Sequence, residues 1–177
     1  MVAEIIKQFQ KDYNGNTNGF EKYFHVNECI SVKKAIFNAL DIPPNSSILD
    51  IASGFGYFPY ICKEAGHKVT VTDVCEEWDD LCTQAREVLG LPKAIPFAYN
   101  DRNFKPLPKI GKFDLITAFA CSPHSFFSVD EWKLYIEDCK THLNNKGKIY
   151  VEPNTSGGWD NLATLLKPLN RGFIYES

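Results

Sequence analysis

Two carboxylates and two glycines stand at a spacing suited to holding a ligand. Asp50-Ile-Ala52-Ser53-Gly54-Phe55-Gly56 places an acidic residue just before a run of small ones, and small residues let a backbone turn tightly and approach a bound group closely. Asp73 follows Gly56 by 17 positions, at the end of the alternating run Lys68-Val-Thr-Val-Thr72. That is near the separation at which a strand-end carboxylate accepts both hydroxyls of a ribose. Farther along, His124 is a candidate proton acceptor, because imidazole titrates near neutrality, and Glu152 is a second. The six cysteines are scattered without a C-x-x-C pair, so no metal site is expected.

The elements that must position these groups alternate along the chain. Ser47 precedes a short β-branched and aliphatic run, Ile48–Ile51, which reads as a buried strand. A helix follows, with Pro59 in its first turn and Gly66 as its stop. Lys68–Thr72 predicts a second strand, and Trp78, Leu81, Cys82, Ala85, Val88 and Leu89 predict a helix closed by Gly90. Ala94–Tyr99 and Phe113–Phe119 read as the third and fourth strands. Ser128-Val-Asp-Glu131 is a capping box for a helix whose buried face is Trp132, Tyr135, Ile136, Cys139 and Leu143. Asn145-Lys-Gly147 then turns the chain into a fifth strand, Lys148–Glu152. One more helix over Trp159–Lys167 and a short sixth strand over Gly172–Glu176 complete the chain. Ahead of all this, Val2, Ile5, Ile6 and Phe9 share a helical face, Asn14–Gly19 breaks it, and a second helix runs from about Asn27 to Leu40, ended by Pro43-Pro44. The prediction is an α/β fold: a doubly wound, mostly parallel sheet in the order 3-2-1-4-5, with the short sixth strand beside the fifth. Residues 1–26 form an N-terminal helix and lid segment, and residues 27–177 the ligand-binding part of what is a single domain.

Composition narrows the functional classes. The 177 residues are 44% apolar and 23% charged with a net charge of −3, an ordinary globular balance with no basic field for nucleic acid. No apolar run approaches membrane-spanning length and no signal-peptide core is present, so a cytoplasmic protein is expected. A dinucleotide fingerprint fails, because Pro59 or Phe55 stands where its third glycine belongs, and the G-K-[ST] of a phosphate loop is absent.

What remains, Asp50-x-Ala52-x-Gly54-x-Gly56, resembles motif I of the class I S-adenosylmethionine-dependent methyltransferases, written acidic-x-Gly-x-Gly-x-Gly, with alanine at the first glycine. The resemblance implies a Rossmann-like fold with S-adenosylmethionine as cofactor and S-adenosylhomocysteine as product. It assigns cofactor binding to Asp50, Ala52, Ser53, Gly54, Gly56, Tyr57 and Phe58 of the motif and following helix, and to Phe119 at the end of the fourth strand. It gives Asp73 the ribose, Val74 the adenine face, and Asp101, between Asn100 and Arg102, the adenine amine. The segment before the first strand folds over the cofactor in such proteins, which brings Tyr23 and His25 to the site. Ser122-Pro123 does not continue into the Pro-aromatic pair of the DNA amino-methyltransferases. The implied reaction is in-line O- or N-methylation of a polar small molecule, and the alternative is a non-catalytic S-adenosylmethionine-binding module or subunit. The resemblance covers about residues 27–176 and leaves no room for both a further helix and a seventh strand. It therefore implies a shortened sheet whose exposed edge invites a homo-oligomer.

Overall fold

The computed structural model describes residues 2–17, 21–74, 80–97, 99, 104–121, 127–154 and 156–177, the side chains of 156 and 157 excepted. Its centre is β1 (Ser47–Ile51), which pairs in parallel with β2 (Lys68–Asp73) on one side and β4 (Phe113–Phe119) on the other. Every residue of β1 from Ile48 to Ile51 is buried, because both faces of the sheet are covered. Ile48 points with Leu115 and Tyr150 towards α2 (Val26–Leu40) and α3 (Tyr57–Glu64). Leu49 and Ile51 point towards α5 (Val129–Thr141), where Trp132 and Tyr135 are fully buried. Burying a large apolar side chain is worth about 1.5–3 kcal/mol, so this two-sided run locks the register of the strand that carries Asp50.

β3 (Ile95–Pro96) lies outside β2, and β5 (Leu143–Glu152) lies outside β4, both parallel. The order of these five is β3-β2-β1-β4-β5. The third strand is shorter than Ala94–Tyr99, ending its ladder with the Phe97 amide donating to the Asp73 carbonyl at 2.8 Å, and Pro96 leaves its outer edge without an amide to donate. The Asn145-Lys-Gly147 turn is absorbed into β5 as an irregularity in its pairing, with Phe113 opposite Leu143 but Leu115 opposite Lys148. The capping box forms as read: Ser128 accepts from the Glu131 amide while Glu131 accepts from the Ser128 amide.

The sheet is one strand larger than expected. α6 (Ser156–Ala163) ends early, and Lys167 to Leu169 become β6, joined through Asn170-Arg171 to β7 (Gly172–Glu176). Asn170, at φ 54°, turns the chain back at once, and a two-residue hairpin needs none of the length that a crossover helix demands. β7 runs antiparallel to β5 and β6 antiparallel to β7. Two further helices, α1 (Val2–Asp12) and α4 (Asp80–Val88), share a core with α2 and α3 built on Ile6, Phe9, Val26, Ile30, Phe55, Tyr57 and Leu81. Among the described residues no helix is long and apolar enough to cross a membrane.

Candidate functional site

The turn after β1 is made of left-handed backbone. Ala52, Gly54 and Gly56 have φ of 54°, 53° and 79°. The non-glycine Ala52 pays about 1–2 kcal/mol to sit there. Gly56 is the N-cap of α3, and a Cβ on it would run into Leu91 and come within 3.2 Å of the Arg86 side chain. Gly54 is different: among the described residues a Cβ there would meet only the Tyr23 hydroxyl, at 3.9 Å. Its bare backbone faces a cavity of about 510 Å³ beyond the carboxyl ends of β1, β4 and β5, the place where open α/β sheets bind ligands.

Tyr23, Asp50, Ala52, Ser53, Gly54, Gly56, Tyr57, Phe58, Phe119 and Glu152, all singled out from the sequence, line this one cavity, as does His25. Asp50 is buried at its floor, accepting a 2.5 Å hydrogen bond from the Thr117 hydroxyl. Burial pushes its carboxyl up to about 6, against the opposing pull of Thr117 and Ser53. A short 3-10 turn, Glu21–Phe24, brings Tyr23 over the glycine turn, stacked on Phe55 with ring centroids 5.0 Å apart. The Tyr57 hydroxyl donates to the Tyr23 carbonyl, and Phe9 and Phe24 meet Phe55 edge-on. Burial raises the Tyr23 phenol to about 12, so near neutrality it is a hydrogen-bonding group and not a base.

Asp73 stands at the end of β2 but is not among the cavity's lining residues. Its Oδ2 accepts from the Gly54 amide at 2.8 Å and from Arg86 Nη1 at 2.6 Å, and its Oδ1 from the Val74 amide at 2.9 Å. The same Arg86 nitrogen also donates to the Gly54 carbonyl at 2.6 Å. Val74 likewise lies off the cavity. Asn100, Asp101, Arg102 and His124 lie outside the described residues.

Three charged residues escaped the sequence reading. Lys33 of α2 sits on the face of Phe119, 3.4 Å from the ring centroid, with its Nζ 3.6 Å from Glu152 Oε2. Arg171, from the β6–β7 turn, places Nη2 3.8 Å from Glu152 Oε1. Arg86 is buried on the inner face of α4. Two of the three left a signal. Lys33 interrupts the helical stripe Cys29, Ile36, Leu40, and Arg86 interrupts Cys82, Ala85, Leu89. A charge on an apolar helix face needs a buried partner or a site. Arg171 left none, because the hairpin that delivers it was not foreseen. Among the described residues no cluster of histidine, cysteine or carboxylate side chains could hold a metal ion.

The residues present fit an adenosyl amino-acid cofactor. The exposed backbone at Gly54 gives close approach, Ser53 and Asp50 supply polar groups beside it, and Tyr23 closes over it.

Comparison with known proteins agrees with this geometry. A family model described as a methyltransferase domain matches residues 49–151. No curated protein matches the chain. Among solved structures, a TehB-like SAM-dependent methyltransferase from Corynebacterium glutamicum superposes with a TM-score of 0.60 at 17% identity, over 91% of this chain and 97% of its own. Streptomyces venezuelae DesVI gives 0.57 at 22% identity, over 80% of this chain and 58% of its own. The Haemonchus contortus phosphoethanolamine N-methyltransferase 1, in complex with phosphoethanolamine and S-adenosylhomocysteine, gives 0.57 at 17%, over 88% and 33%. The chain thus spans little more than half of DesVI and a third of the Haemonchus enzyme.

Proposed function

Because the chain belongs to the methyltransferase domain family, whose cofactor is S-adenosylmethionine, we propose that it methylates an oxygen or nitrogen of a polar small molecule. The observation that carries this reading is the cavity of about 510 Å³, which joins the bare Gly54 backbone to the charged wall of Lys33, Glu152 and Arg171. S-adenosylmethionine supplies a methyl group on a positively charged sulfur, already electrophilic enough to be attacked directly. The protein's task is therefore to hold the acceptor atom in line and keep water out, an effect worth up to about 7–11 kcal/mol. Tyr23 and Phe55 do the second over the glycine turn, with Trp159 on another wall. Asp50, Ser53 and Gly54 hold the cofactor's polar groups, Asp73 the ribose, and Val74 with Asn100, Asp101 and Arg102 the adenine. An acceptor O–H or N–H must also lose its proton. His124 is the first group proposed to take it and Glu152 the second. The Haemonchus neighbour, with its phosphoethanolamine, is a precedent for a polar acceptor on this fold.

The test is release of S-adenosylhomocysteine when the protein is incubated with S-adenosylmethionine and pools of polar metabolites. Calorimetry with S-adenosylhomocysteine and with NAD runs beside it. Turnover in a polar pool supports the proposal. Tight S-adenosylhomocysteine binding without turnover in any pool favours a non-catalytic binding module, and preference for NAD overturns both readings.

A further inference from the structure

We propose that Lys33 and Arg171, one on each side of Glu152, form an oxyanion subsite, and hence that the methyl acceptor carries a carboxylate or phosphate group; this rests on the methyltransferase reading of the cavity. Both cations line the cavity, together with Glu152 and Phe119. The Lys33 side chain is 19% exposed, and its ammonium is ion-paired with Glu152. Glu152 Oε2, at 3.6 Å, is farther than a well-formed hydrogen bond, and the same ammonium lies over the π-face of Phe119. Asp50, another carboxyl lining the cavity, is tied to Thr117, and with its carboxyl raised to about 6 it is largely ionised near neutrality. Arg171 meets Glu152 at 3.8 Å, also too long for a hydrogen bond, and its side chain is 59% exposed at the mouth.

Between them the Lys33 ammonium and the Arg171 guanidinium carry more N–H donors than the one Glu152 carboxylate beside them can accept. Burying an ammonium in that condition is costly, and burial does lower the Lys33 affinity for its proton. An incoming oxyanion removes the cost, accepting from the Lys33 ammonium and from the Arg171 fork, in charge-assisted bonds about twice as strong as neutral ones. Glu152 then serves as a positioning residue. It keeps two like charges close together on the wall, with its own buried Oε2 still unbonded.

The position of the subsite assigns it to the acceptor. Gly54 follows β1 and is tied to the end of β2, whereas Glu152 ends β5 and Arg171 belongs to the β6–β7 hairpin beyond it. β1 and β5 are two strand spacings apart, about 10 Å.

The test is an NMR titration of the full chain carrying 13C-labelled lysine, with the Lys33 signal assigned through Lys33→Arg. Acetate, inorganic phosphate and methylammonium are the probes, each added with and without saturating S-adenosylhomocysteine. The expected result is a saturable Lys33 shift with acetate or phosphate, kept when S-adenosylhomocysteine is bound, and none with methylammonium. Whichever anion saturates at lower concentration tells carboxylate from phosphate. Arg171→Gln should raise the dissociation constant of that anion at least tenfold, while its affinity for S-adenosylhomocysteine stays within twofold. The proposal is overturned by no saturable anion response, by an equal response to methylammonium, or by loss of the anion response once S-adenosylhomocysteine binds. The last result would make the two cations anchors for the cofactor's own carboxylate. Failure of S-adenosylhomocysteine to bind the wild type is a separate result, which overturns the methyltransferase reading whatever the anions do.

Discussion

Burial holds the Asp50 carboxyl at about 6, against an ordinary value of 3.8. Between those values the folded protein binds more protons than the unfolded chain, so stability falls as pH rises. The contribution is fully present below about pH 4 and is lost as pH rises through 6, a swing of about 3 kcal/mol. Urea unfolding at pH 4, 6 and 8 should therefore show wild type losing up to about 3 kcal/mol relative to Asp50→Asn, which keeps an oxygen for Thr117. A flat difference between the two proteins would mean that Asp50 is solvated. His124 carries the other residue-scale expectation. His124→Gln should lower turnover by about 10²–10⁴-fold with S-adenosylhomocysteine affinity unchanged by calorimetry. Full activity would pass the proton to Glu152 or leave positioning as the whole of catalysis.

Among the elements, the decisive contact is the one that ties three of them together. Arg86 of α4 reaches the turn between β1 and α3 and the end of β2 at the same time, through the Gly54 carbonyl and Asp73 Oδ2, both at 2.6 Å. Asp73 in turn holds the Gly54 amide, so the backbone that faces the cavity is clamped from behind at both its polar groups. Breaking a buried pair by removing one partner costs about 3–5 kcal/mol, because the other charge is left uncompensated. Arg86→Ala should therefore lose stability of that order in urea. The Arg86→Ala/Asp73→Ala double variant should be no less stable than Arg86→Ala alone, since it removes the orphaned charge. Additive losses in the double variant would show that the pair does not act as a unit.

The whole molecule links the N-terminal segment to the sheet through Phe55, which touches Phe9 of α1 and both Tyr23 and Phe24. Ligand bound under Tyr23 is thus coupled to the packing of α1 and α2. S-adenosylhomocysteine at about 100 times its dissociation constant adds about 2.7 kcal/mol of stability, which for a domain of this size is an upward Tm shift of about 5–10 °C. Differential scanning fluorimetry checks it, and a Tm unmoved at saturation would exclude binding to the folded state. Both sheet edges offer little to a partner strand. β3 has two residues and β6 three, and each contains a proline, Pro96 or Pro168. Pairing through an edge, the oligomer expected from a shortened sheet, has almost no ladder to build on.

The order of β1 to β5, the capping box at Ser128 and the glycine turn were legible in the chain because each rests on local rules. These are the short β-branched and aliphatic runs of buried strands, the reach of a serine side chain to the third amide, and the backbone freedom of small residues. The side of the sheet on which Asp50, Phe119 and Glu152 would meet followed from strand direction alone. Partners separated by long stretches of chain were not legible. Asp73 stands at a strand end as read, but its contacts to Arg86 and Gly54 were set by which face of α4 packs inward. Lys33 and Arg171 come 138 residues apart in sequence to the two oxygens of one carboxylate. No periodicity encodes that distance, and the hairpin delivering Arg171 exists because β7 finds the open edge of β5. Local physics determined where a ligand can lie, and the packing of remote elements decided which charges surround it.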